Sequence, residues 1–149
     1  MKEIHEILQE AVERKASDIF IVSGFPLSYK INDVIQPAED EKLMPDTTEA
    51  LLRQIYELDG NRKIEQLIHT GDDDFSFSIK GLGRFRCSAY KQRNSLAAVL
   101  RVVYFNLPDA ESLGIPSIVT ELSKKKKGLV LITGSAGSGK STTLACIID

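Results

Sequence analysis

Gly83-Arg84-Phe85-Arg86-Cys87-Ser88-Ala89-Tyr90-Lys91 and Ser95-Leu96-Ala97-Ala98-Val99-Leu100-Arg101-Val102-Val103 lie on either side of the pair Arg93-Asn94. Both runs are long enough for strands and hold aromatic, branched or small apolar residues, and Arg84-Phe85-Arg86-Cys87 alternates at period two. Arg93-Asn94 has the character of a short turn. The spacing predicts two neighbouring antiparallel strands, and the same pattern recurs upstream.

Phe75-Ser76-Phe77-Ser78-Ile79 also alternates, and Gly81-Leu82-Gly83 provides the turn that follows it. Asp72-Asp73-Asp74 lacks the alternating ligands of a calcium loop and is read as a turn before this strand. Ahead of it, Asn61 to His69 predicts a short helix through Ile64, Leu67 and Ile68. Pro45-Asp46-Thr47-Thr48 supplies N-cap candidates for a helix that runs to Gly60. Nearer the start, Ile4, Ile7, Leu8, Ala11 and Val12 share one face of a helix within Lys2 to Lys15. Ile19-Phe20-Ile21-Val22 and Leu27-Ser28-Tyr29-Lys30-Ile31 then read as strands, and Asn32-Asp33 turns the chain so that Val34-Ile35 returns before Pro37. Residues 1–105 are thus expected to form an α+β domain with an antiparallel sheet whose strands are joined by short turns.

Downstream the pattern changes at Pro108 and Gly114-Ile115-Pro116, which places a domain linker near Asn106-Leu107-Pro108. Residues 106–127 are assigned as linker and connecting helix, with Lys124-Lys125-Lys126-Lys127 a solvated approach to the next strand. Gly128-Leu129-Val130-Leu131-Ile132-Thr133 is continuously apolar, the mark of a strand buried on both faces of a parallel sheet. Gly134-Ser135-Ala136-Gly137-Ser138-Gly139-Lys140-Ser141 follows at once, and Ser141 to Ile148 has the apolar content of a buried helix. Residues 128–149 therefore read as the start of an α/β nucleotide-binding domain.

This glycine-rich loop has the four fixed positions of a phosphate-binding loop, set between strand and helix as its chemistry demands. Glycines allow the backbone to turn its N–H groups inward, and the helix N-terminus adds partial positive charge beneath the anion. Lys140 is expected to reach β- and γ-phosphate oxygens, Ser141 to offer its hydroxyl to Mg2+, and Thr142 to approach the α-phosphate. ATP with Mg2+ is the ligand this pattern predicts, held by residues Gly134, Ser135, Ala136, Gly137, Ser138, Gly139, Lys140, Ser141 and Thr142.

Other chemistries are disfavoured. A formal net charge of −2 gives no general pull toward nucleic acid. Cys87 and Cys146 lack metal-ligand spacing, and His5 and His69 are isolated in sequence from Cys or Asp partners. No apolar run approaches the ~20 residues of a spanning helix, and the acidic opening is unlike a signal peptide, so a cytoplasmic protein is expected.

Four stretches carry a further resemblance: Ala16-Ser17-Asp18-Ile19 with Gly24 and Pro26; Asp74-Phe75-Ser76-Phe77; Gly83-Arg84-Phe85-Arg86 through Leu100-Arg101; and Gly128 through Leu144. Together they resemble the PilT family of type IV pilus retraction motors, within the type II and type IV secretion ATPases. Ser135-Ala136 departs from the family's usual Pro-Thr, Phe20 replaces a common His, and Lys30-Ile31-Asn32-Asp33 replaces Arg-x-x-Gly. The resemblance implies a PAS-like N-terminal domain followed by a RecA-like ATPase domain, a homohexamer in full-length form, and ATP between the domains. It also implies that an arginine among Arg84, Arg86 and Arg101 reaches the nucleotide.

Implied partners are an inner-membrane pilus platform protein and the pilus machinery, with only peripheral association at the cytoplasmic face of the inner membrane. The start without an additional N-terminal module favours a retraction motor; pilus-assembly or type II secretion ATPases, and a nucleotide-binding regulatory module without turnover, stand as alternatives. The family's acidic water-activating segments would fall beyond Asp149, so the 149-residue chain alone is expected to be inactive.

Overall fold

Arg93 and Asn94 adopt left-handed backbone conformations with φ of 46° and 65°, and Asn32 and Asp33 repeat the arrangement at 49° and 63°. Two consecutive positive φ values give a hairpin turn whose twist matches that of its flanking strands. The computed structural model describes residues 2–104, 109–135 and 138–148. The chain divides into two compact units, residues 1–104 and 105–149.

In the first unit the elements run α1 (Ile4–Glu13), β1 (Asp18–Ile21), β2 (Pro26–Ile31), β3 (Val34–Lys42), α2 (Pro45–Asp59), α3 (Ile64–Thr70), β4 (Asp72–Ile79), β5 (Gly83–Gln92) and β6 (Ser95–Val103). The strands form one sheet in the order β3-β2-β1-β6-β5-β4, and every pairing is antiparallel. This is the α+β architecture expected from the hairpin pattern. The central β1–β6 pairing brings Asp18 opposite Arg101, uniting the first and last strands of the unit.

Alternation decides the two faces of this sheet. Phe85, Cys87 and Ala89 of β5 and Leu96, Ala98 and Leu100 of β6 are buried in one cluster with Leu51, Leu52 and Ile55 of α2. On that same face the Tyr29 hydroxyl donates to the Ile7 carbonyl of α1 at 3.3 Å. Ile4, Ile7, Leu8 and Ala11 are the buried stripe of α1, as their spacing predicts. The opposite parity puts Arg84, Arg86 and Ser88 of β5 and Arg101 of β6 on the exposed face.

Three expectations require correction within this unit, the first being the N-cap of α2, which is Met44 and none of Pro45-Asp46-Thr47-Thr48. β3 does not stop before Pro37 but continues through it to Lys42. It is an edge strand, where a proline's missing donor can face away from the ladder. Asp72, Asp73 and Asp74 do not form a turn, because they open β4 and pair with Tyr90, Ala89 and Ser88. Asp73 is satisfied there by the Tyr56 hydroxyl at 3.0 Å and the Arg62 guanidinium at 2.6 Å.

In the second unit, α4 (Ser117–Thr120) runs into a 3-10 turn over Glu121–Lys124, and α5 spans Lys140–Ile148. The linker residues Asn106, Leu107 and Pro108 lie outside the described residues. The apolar run Leu129 to Ile132, expected as a strand, has no strand pairing among the described residues. A strand is defined by its ladder, and without a neighbour Leu129 and Leu131 stand 82% and 75% exposed. None of the described residues of this unit is buried.

Candidate functional site

The glycine-rich loop leads directly into α5. Gly134 has φ of 155°, and a Cβ there would lie 2.6 Å from the Ser138 hydroxyl oxygen, so no larger residue fits without displacing that side chain. Gly139, at φ of 85°, occupies the left-handed region that favours glycine. The Ser138 amide donates to the Ser135 carbonyl at 3.3 Å, and the first helical bond runs from the Thr143 amide to the Gly139 carbonyl at 2.8 Å. Lys140, Ser141 and Thr142 therefore occupy the first turn, where amides have no intrahelical acceptor. Ala136 and Gly137 lie outside the described residues.

Lys140 folds back onto its own loop, and its ammonium donates to the Ser135 carbonyl. A cation directed at the loop in this way, above a helix N-terminus, suits an anion with several oxygens rather than an apolar ligand. The exposed Ser141 hydroxyl can serve a cation only with help, since among the described residues no group of three or more His, Cys, Asp or Glu could hold a metal. Mg2+ at this position would take most of its oxygens from phosphates and water, which is its usual preference. The residues present thus fit a magnesium-bound polyphosphate.

Register brings the three candidate arginines together on the exposed face of the first unit's sheet. Arg86 and Arg101 are direct cross-strand partners, and Arg84 pairs with Val103 on the same face. Arg84 donates from Nη2 to Ser76 Oγ at 2.9 Å. Arg86 makes a fork to Asp74, from Nε to Oδ1 at 3.1 Å and from Nη2 to Oδ2 at 2.7 Å. That contact holds the Asp74 carboxyl below its ordinary pKa and raises the guanidinium of Arg86. Arg101 donates from Nε to Asp18 Oδ1 at 3.1 Å. A shallow depression lined by Asp18, Asp74, Arg86, Ser88, Val99 and Arg101 lies between the two ion pairs.

Asp18 and Asp74 hold the arginines of this face, and no local sequence signal marks either as a site residue. Asp18 is the first residue of the short strand β1, and its partner Arg101 is 83 positions away, so only tertiary pairing reveals the contact. The run Asp72-Asp73-Asp74 has the composition of a turn, whereas strand parity on β4 sets Asp74 on the arginine face. Cys87 is fully buried, and burial pushes its thiol up to about 12, consistent with a packing role.

An α+β domain ahead of a glycine-rich loop that opens a helix defines a class, the chains that carry such a loop and helix behind a sheet domain. The family described as Type II/IV secretion system protein matches residues 1–149, and the chain belongs to that family. It is 36% identical over 146 residues to the Type IV pilus ATPase PilU of Pseudomonas aeruginosa, across 98% of this chain and 37% of that protein. The Type IV pilus retractation ATPase PilT of the same organism is 32% identical over 147 residues, across 99% of this chain and 42% of PilT. The crystal structure of the pilus retraction motor PilT with bound ADP is similar at a TM-score of 0.79 and 40% identity, covering 99% of this chain and 43% of that one. The chain thus spans less than half the length of these relatives. Among the described residues, no helix is long and apolar enough to cross a membrane.

Proposed function

We propose that this chain supplies the nucleotide-binding loop and the sheet domain of an ATP-hydrolysing motor that, as a full-length homohexamer, drives type IV pilus retraction and so twitching motility. The loop carries this conclusion: Gly134 packs at a positive φ against the Ser138 hydroxyl, and Lys140 turns its ammonium into the loop at the start of α5. The pilus ATPases among its relatives, and the ADP in the PilT crystal structure, support extending that chemistry to a nucleotide and to a pilus.

Each residue then has a defined task. Lys140 meets the β- and γ-phosphate oxygens as a point charge, the amides at the start of α5 face the phosphates, and Thr142 approaches the α-phosphate. Ser141 contributes its hydroxyl to Mg2+, which when bound neutralises charge on the phosphate oxygens. Arg84, Arg86 and Arg101 supply planar, permanently charged groups for terminal phosphate oxygens. The working location is the cytoplasmic face of the inner membrane, in peripheral association with the pilus platform protein. A pilus-assembly or type II secretion motor is the second reading, favoured by the breadth of the matched family.

In the full-length protein Lys140→Ala is expected to abolish tight binding of a fluorescent ATP analogue, and unchanged affinity would overturn the loop assignment. Arg86→Ala and Arg101→Ala are expected to lower hydrolysis by roughly a thousandfold while reducing binding far less. Deleting the gene should abolish twitching while leaving surface pili. Loss of pili or of protein secretion instead would favour the second reading.

A further inference from the structure

One row of the sheet carries charges across four adjacent strands: Lys30 on β2 faces Asp18 on β1, Asp18 faces Arg101 on β6, and Arg101 faces Arg86 on β5. Two arginines directly opposite each other are unfavourable in a sheet. Each is flanked by a carboxylate, but the two carboxylates are held in different ways.

Asp18 is built into the sheet. Its side chain is only 10% exposed, and Ser17 Oγ donates to Oδ2 at 2.8 Å while Arg101 Nε donates to Oδ1. Arg101 uses that nitrogen alone, so among the described residues its two terminal nitrogens have no hydrogen-bond partner. Asp74 is half-exposed and spans the Nε and Nη2 edge of Arg86 with both oxygens. This is the edge that a phosphate would take bidentately. Exposed ion pairs are weak, and a multiply charged phosphate can displace one.

We infer that Asp18 is a positioning residue that holds Arg101 open toward an incoming phosphate, whereas Asp74 is a releasable competitor that occupies Arg86 until a phosphate displaces it. The inference rests on the reading that these arginines serve the terminal phosphate of a bound nucleotide. It assigns opposite signs to two chemically identical substitutions. Removing a negative charge would by itself raise anion affinity at both positions, so a fall at Asp18 isolates the loss of positioning.

The test titrates the full-length protein with Mg2+ and either ATPγS or ADP, and reads the ratio of the two affinities. Asp74→Asn should raise the preference for ATPγS by roughly threefold, the size that releasing one exposed ion pair permits. Asp18→Asn should lower it by roughly tenfold, the size of a lost charge-assisted hydrogen bond. ADP affinity should stay constant in both variants, because the loop and not the sheet face holds the shared phosphates. Should Asp18→Asn fail to fold, Ser17→Ala removes the hydroxyl that orients the carboxylate and should shift the ratio in the same direction by less. Ratios that rise in both aspartate variants, or move in neither, would overturn the inference. If Arg86→Ala and Arg101→Ala also leave the ratio unchanged, it is the arginine assignment under the proposed function that has failed.

Discussion

Leu96-Ala97-Ala98-Val99-Leu100 in β6 and Leu129-Val130-Leu131-Ile132 in the second unit are similarly apolar runs, yet Leu100 is fully buried and Leu131 is 75% exposed. The difference is in neighbours. β6 lies between β1 and β5 and has α2 over one face, while the second run has no strand beside it among the described residues. Composition states which side chains favour burial; only a ladder and a covering layer provide it. The first unit is thus a finished core that presents arginines. The second offers a loop and helix whose apolar surroundings are open in this chain.

Matched truncations give the largest effect that can break this comparison. Phe85 is fully buried and stacks on Phe77 at 5.5 Å, so Phe85→Ala should lower the stability of the first unit by ~3–5 kcal/mol in urea unfolding. Leu131→Ala in the same chain should change it by no more than about 0.5 kcal/mol, the usual range for exposed positions. Equal losses would mean that the second run is buried after all.

Acid provides a smaller effect confined to the first unit. Burial pushes the Glu10 carboxyl up, but hydrogen bonds from Lys2, Tyr29 and Arg14 outweigh it and leave its pKa below the ordinary value. A lowered folded-state pKa stabilises above the unfolded value and loses that contribution as pH falls through the folded value. The urea midpoint should therefore fall as pH drops from about 5 to about 3, and Glu10→Gln should flatten that fall. An unaltered slope would show that the Lys2–Glu10–Tyr29 contacts do not hold in solution.

Much of the first unit was legible because its strands alternate and its turns use residues that tolerate positive φ. Ser95–Val103 matches its expected strand, and Gly60 ends α2 at φ of 72°. Local patterns failed where tertiary partners decide. Pro37 read as a stop because sequence does not reveal that β3 is an edge strand. Asp73 read as a turn residue because Tyr56 and Arg62, which satisfy it, lie 17 and 11 positions away. The start of α2 fell at Pro45 with Met44 as N-cap, an arrangement in which proline's missing donor costs nothing. For the site, the loop residues were legible as a contiguous motif. The carboxylates that hold the arginines were not, since Asp18 and Arg101 meet only through the β1–β6 register.

Hydrogen exchange on the 149-residue chain, shown to be monomeric, tests the contrast between the units most directly. Slow exchange is predicted across the β5–β6 ladder, from Phe85 with Val102 to Ala89 with Ala98, because these amides lie in a covered sheet. The amides of Leu129, Val130, Leu131 and Ile132 should exchange orders of magnitude faster, as backbone without a ladder does. Protection of these four amides equal to that of β6 would contradict the account.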